Sequence, residues 1–206
     1  VRSRNGSRRT QADRRAAARL ALLDATIDCL AEFGYTRVTG AQIAERAGVT
    51  RGLQAYYFST KAELVAAALE HLTGKMVDWF RAELPDGPDP VANATALLDR
   101  FWELHGSQGF AVSAELLMAS RTDPELREHV AAATRRMTGA ILDVVREVLP
   151  EPADHEDFLA VVTTATAALR GVAVMGFTMS EQAQHALWLT VRGQLEKLLV
   201  HALKRA

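Results

Sequence analysis

The residues best suited to chemistry crowd into 26 positions, residues 39–64, TGAQIAERAGVTRGLQAYYFSTKAEL. They are Thr39, Gln42, Thr50, Arg51, Gln54, Tyr56, Tyr57, Thr60, Lys61 and Glu63. Most are hydrogen-bonding groups with little use as nucleophiles or general bases. Their spacing predicts helices. Thr39 with Gln42 three residues on is a capping box, and Thr60 with Glu63 is a second. Ile43, Ala44 and Ala47 form one apolar face. Gly48 can take the positive φ that stops a helix and turns the chain, with Val49 plugging the corner and Thr50 capping the next helix. Two short helices about a Gly-containing turn form a helix-turn-helix, whose second helix enters the DNA major groove N-terminus first. There Thr50, Arg51 and Gln54 would meet base edges. Gly52 would let the backbone come close. Thr39, Tyr56, Tyr57 and Lys61 would hold phosphates.

These residues resemble the DNA-binding domain of the TetR family of bacterial repressors. The resemblance rests on Ala44 to Gly48 with Val49, on Arg51-Gly52, on Tyr56-Tyr57-Phe58, and on Lys61 and Leu64. Phe33-Gly34-Tyr35 ahead of Val38-Thr39 fits the same pattern. It covers about residues 20–72. Ala55 departs from it, since many members carry there a Tyr that touches a phosphate. The resemblance implies an all-α chain of nine helices: a three-helix DNA-binding head and a six-helix body that binds an effector and dimerises through its last two helices.

The elements that must position these groups follow from periodicity. Residues 11–33 read as a first helix with Leu20, Leu23, Ile27 and Leu30 toward the core and Asp24, Asp28 and Glu32 toward solvent. Gly34 should end it. A fourth helix, about residues 60–83, links head and body. Pro85, Pro88 and Pro90 break the chain after it. Further helices are expected at 90–105, 107–120, 123–149, 154–177 and 180–203, with Asp123-Pro124 and Ser180 as starts. Gly171, Gly176 and Gly193 would allow close helix approach in a dimer. The domains expected are a basic arm at 1–10, a DNA-binding head at 11–64 and a body at 65–206.

Charge agrees with that division. Residues 1–64 hold eleven Lys and Arg against six Asp and Glu, and residues 65–206 thirteen against nineteen. A basic front on an acidic body fits a DNA-reading head. The arm, VRSRNGSRRT, would follow the minor groove or nearby phosphates. No run of about eighteen apolar residues is evident, so no membrane span is expected. The polar, Arg-rich start is unlike a secretory signal. A lone Cys29 allows no internal disulfide, which fits the cytoplasm.

No catalytic constellation stands out, and no metal ligand set or cofactor is expected. The six histidines are scattered. The cluster Asp154-His155-Glu156-Asp157 reads as the acidic first turn of a helix. Large and soft apolar side chains in the body are the candidates for an effector chamber: Trp79, Phe101, Trp102, Phe110, Met118, Met137 and Met175, with His105 as a polar group among them. Phe80 belongs to the same set, and Glu115, Thr134 and Thr166 are further polar candidates. The expected function is a dimeric, ligand-responsive regulator, most simply a repressor, that binds a double-stranded DNA operator and is released by a small, largely apolar effector. The alternative is a helical small-molecule-binding protein or enzyme whose N-terminal part is only structural.

Overall fold

A computed structural model describes residues 11–205. The basic arm expected at 1–10 lies outside the described residues. Among the described residues there are nine α-helices and no strand. In order they are α1 (Gln11–Arg37), α2 (Gly40–Arg46), α3 (Arg51–Tyr57), α4 (Lys61–Arg81), α5 (Pro90–His105), α6 (Gln108–Ala119), α7 (Pro124–Val148), α8 (Glu156–Gly176) and α9 (Glu181–Leu203). A single 3-10 turn, Pro152–Asp154, precedes α8.

Most helices start where a short polar side chain can accept an orphan backbone N–H. Thr39, Thr50, Thr60, Asp89, Ser107, Asp123 and Ser180 each do so. The capping box at Thr39 is complete, with Gln42 Oε1 accepting from Thr39 N at 2.8 Å. The second box is only half formed. Thr60 accepts from Glu63 N, but the Glu63 carboxylate turns back one residue further and accepts from Ser59 N and Ser59 Oγ, both at 2.8 Å.

Gly34 does not end α1 cleanly. It sits at φ 76°, ψ 163°, and one more helical turn follows it to Arg37. Leu20 is corrected: it is 47% exposed, whereas Leu23, Ile27 and Leu30 of the expected stripe are buried, joined by Leu22 and Cys29. Two of the three acids in the row on α1 are partnered. Asp24 pairs with His71 and Lys75 of α4, and Glu32 with Arg46 of α2.

Among the described residues two large apolar cores result, with a small third cluster of Phe110, Ala114 and Ala173. The first joins α1, α2 and the N-terminal half of α4 to Val112 and Leu116 of α6 and Leu126 and Val130 of α7. It therefore continues past residue 64, so the head is built on α6 and α7 as well as on itself. The second lies among α4, α5, α7, α8 and α9. Arg192 of α9 grips Asp99 of α5 with two hydrogen bonds, 2.5 and 2.7 Å, and Trp102 stacks on Trp188 at 4.6 Å.

Helix α8 is different. It is long and apolar enough to cross a bilayer by length and composition alone, yet only 28% of its most apolar stretch is buried within the chain. Thr163, Thr164, Thr166 and Arg170 interrupt it, so no unbroken run of eighteen apolar residues is present. Val174, Met175, Phe177 and Met179 stand exposed at its C-terminal end, with Leu189 and Leu198 on α9.

Candidate functional site

Helix α3 is seven residues long and none of them is buried. A helix so short is not stable by itself. Caps and a few dockings hold it: Leu53 N donates to Thr50 Oγ1 at 3.2 Å, and Phe58 N to Gln54 O at 2.9 Å. Tyr57 Oη donates to Arg15 O of α1 at 3.1 Å, and Tyr56 meets Tyr57 edge-on at 5.2 Å. Gly48 turns the chain at φ 65°, with no atom in reach of an added Cβ. Its backbone conformation, not crowding, calls for glycine.

Thr39, Thr50, Arg51, Gly52 and Tyr56 are exposed, and Gln54 and Tyr57 partly so. Tyr56 is the most exposed aromatic, at 71%. A Cβ at Gly52 would meet only Thr50 Oγ1, at 3.9 Å. Nothing among the described residues requires glycine there. Gln54 has a second engagement: its side-chain amide lies against the backbone of Gly40 at the start of α2. Exposed Ala55 offers no hydrogen-bonding group in place of the tyrosine of the family pattern.

Lys61 is held inward. Its Nζ donates to Tyr35 O at 2.6 Å and lies 4.9 Å from the Tyr35 ring centre. Burial pulls its pKa below the ordinary lysine value. One ammonium hydrogen is thus engaged before any phosphate arrives, and two remain.

Tyr35 is the joint that residue spacing did not reveal. Its N–H donates to Glu115 Oε1 of α6 at 2.6 Å, and its hydroxyl to Asp123 Oδ2, the cap of α7, at 2.7 Å. Burial and the Asp123 carboxylate push the phenol pKa up to about 12, so it remains a donor. Glu115 is therefore a strut between head and body and not a polar group of the cavity. The only sequence signal was Gly34 beside an aromatic. A Cβ on Gly34 would come within 2.5 Å of Glu115 Oε1.

An apolar cavity of about 110 Å³ lies among α4, α5, α6, α7 and α8. Leu69, Thr73 and Met76 of α4 form one wall, and Phe101, Leu104 and His105 of α5 another. Phe110, Ser113, Ala114 and Leu117 of α6, Val130, Ala133, Thr134 and Met137 of α7, and Arg170 and Val174 of α8 complete it. His105 is 6% exposed; its Nδ1 faces Phe101 O at 2.7 Å and must donate to that carbonyl. Burial drops its pKa to about 4, opposed by that hydrogen bond and assisted by the charge of Arg170. At neutral pH the ring is uncharged.

Of the eight residues expected around an effector, the cavity gathers Phe101, His105, Phe110 and Met137. The other four do not line it. Trp79 is 40% exposed, with the Arg100 guanidinium 4.3 Å over its ring, in an open groove beside α1. Trp102 is committed to Trp188. Met118 and Met175 are 65% and 52% exposed. Thr134 does line the cavity, and Thr166 a smaller one of about 50 Å³. Helical spacing marks an apolar residue but not which neighbour it faces, so it does not separate these residues from those on the cavity wall. Arg170 was missed. It is the only charge between Asp157 and Glu181, and that isolation in an apolar helix was the available signal. No group of three or more His, Cys, Asp or Glu side chains among the described residues is arranged to hold a metal.

A capped helix-turn-helix with an exposed second helix, carried on an all-α body, defines a DNA-binding transcriptional regulator. A family model described as bacterial regulatory proteins, tetR family, matches residues 22–68. The transcriptional regulator CymR of Pseudomonas putida is 32% identical over 81% of this chain and 83% of its own. The chain belongs to the TetR family. Solved structures repeat the fold. A TetR-family regulator from Rhodococcus sp. superimposes with TM-score 0.70 at 22% identity, over 89% of this chain and 99% of that one. FadR of Bacillus subtilis, solved with stearoyl-CoA, gives 0.65 at 17%, over 89% and 98%. Family and relatives are transcriptional regulators, which sets aside the enzyme alternative.

Proposed function

We propose that this regulator is a repressor that binds a two-fold symmetric operator as a homodimer and is released by a small, largely apolar effector. The observation that carries the reading is α3 itself, capped, unburied and presenting Thr50, Arg51, Gly52 and Gln54 at its N-terminal end. Thr50, Arg51 and Gln54 read bases. Thr39, Tyr56, Tyr57 and Lys61 hold phosphates, and the arm at 1–10 adds four arginines beside the site. The working units are the arm, the head at 11–64 and the body at 65–206, in the bacterial cytoplasm.

The exposed apolar side chains of α8 and α9 support dimerisation through these two helices. A Cβ at Gly171 or Gly193 would meet no described residue within 4 Å, which leaves room for a partner helix. Gly176 packs against Gln184 of its own subunit instead. One short helix reads few base pairs, so two heads about one DNA turn apart supply the affinity. The cavity adjoins α4 and α6, and α6 carries Glu115 to Tyr35, so a molecule there has two routes to the head. It acts by binding the two states with different affinity.

A DNA titration tests the reading. Arg51→Ala should relax preference at one base position, costing roughly 1–3 kcal/mol there, and Lys61→Ala should weaken all sequences about equally. If both variants bind like the parent, the interface is wrongly assigned. Binding that shows no sequence preference and vanishes in moderate salt would favour a body that binds ligands without reading DNA.

A further inference from the structure

The cavity holds a cation without an anion. Arg170 lines it from α8, half-buried, and no hydrogen bond or ion pair to its guanidinium is found among the described residues. No Asp or Glu lines the cavity. His105 contributes no second charge, because its Nδ1–H is spent on Phe101 O and its pKa is depressed to about 4. The other half-buried arginines of the body, Arg100 and Arg192, are partnered, and so is exposed Arg127. Arg192 is clamped by Asp99, Arg100 lies on Trp79 and donates to Phe80 O, and Arg127 caps carbonyls of Ser120 and Arg121. Burial pulls the pKa of Arg170 down, with no neighbour pulling it up. A partly desolvated guanidinium is costly unless something pairs with it. A planar carboxylate fits its fork with two parallel hydrogen bonds.

Size sets the rest. A cavity of about 110 Å³ compares with roughly 150 Å³ for an apolar cavity known to take up benzene. It has room for one ring or a short branched chain, and a stearoyl chain does not fit in this conformation. We propose that the effector is a compact carboxylic acid of about benzoate size, whose apolar body fills the cavity and whose carboxylate is received by Arg170. This rests on the cavity being the effector site.

The test uses the full-length dimer and three probes of one shape: benzoate, uncharged benzamide and toluene. Calorimetric titration should find benzoate binding the parent at least about tenfold tighter than benzamide. Arg170→Gln should lose about tenfold to a hundredfold for benzoate while keeping toluene. Arg170→Lys should fall between. Equal affinity of benzoate and benzamide, or of parent and Arg170→Gln for benzoate, overturns the proposal. So does a variant whose only defect is a weaker dimer in sedimentation, since Arg170 would then pair with the other copy. Should Arg170→Gln fail to fold, the benzoate-to-benzamide ratio in the parent and in Arg170→Lys decides. Toluene binding without benzoate preference sinks the anion receptor alone. If neither benzoate nor toluene binds, the cavity reading falls with it.

Discussion

Gly52 isolates recognition from stability. Its would-be Cβ has open space in the free protein, and glycine inside a helix costs up to about 1 kcal/mol relative to alanine. Gly52→Ala should therefore raise the melting temperature slightly and weaken operator binding. Thermal unfolding and a DNA titration on the same preparation check it. A variant that gains stability and binds DNA unchanged would mean that α3 does not approach DNA closely at this point. His105 makes the parallel case for the body. Its folded pKa of about 4 lies below the unfolded value of 6.5, so the unfolded chain takes up the proton first as pH falls. The stability from this residue is complete above about pH 6.5 and is lost toward pH 4, about 3 kcal/mol in all. His105→Gln should flatten the pH dependence of unfolding in that window. An unchanged slope would assign the dependence to other groups.

At the scale of the element, the head is fastened to the body by apolar packing, through α4 and the core shared with α6 and α7, and by the hydrogen bonds of Tyr35. The second fastening predicts its own phenotype. Tyr35→Phe removes the hydrogen bond to Asp123, and Glu115→Ala leaves Tyr35 N–H without its acceptor. Each should cost about 1–3 kcal/mol of stability and speed hydrogen exchange through residues 38–46, leaving α8 and α9 unaffected. Unaltered exchange in the head would show that α4 and the shared apolar core hold the two parts together without Tyr35. What the sequence disclosed at this scale was mostly local. Thr39, Thr50, Asp123 and Ser180 mark helix starts because a cap is a matter of one side chain and the next turn. Glu63 went to Ser59 instead of Thr60 because two N–H groups lay within its reach. The Tyr35 joint joins residues 80 and 88 positions apart, and no local pattern encodes such a pairing.

Over the whole molecule, the same distinction between local and long-range pairing explains why the cavity was read only in part. The all-α architecture and the head were legible because periodicity, caps and the Gly48 turn agree with one another. The cavity wall was half legible. Phe101, His105, Phe110 and Met137 face inward, whereas Trp79, Trp102, Met118 and Met175 are equally large but lie elsewhere. Which way each side chain points is set by the packing of five helices, and composition does not carry it. Arg170 shows the reverse, a residue whose meaning emerges only when the absence of acids on the cavity wall is known.

The most direct measurement is selection of binding sites from random double-stranded DNA with the full-length protein, run in parallel with Arg51→Ala. The parent should enrich an inverted repeat whose half-sites lie about one helical turn apart. Arg51→Ala should keep that spacing and lose preference at one symmetric pair of positions. Enrichment of no symmetric motif, or of the same motif with the same preferences by both proteins, would contradict reading of the groove by α3.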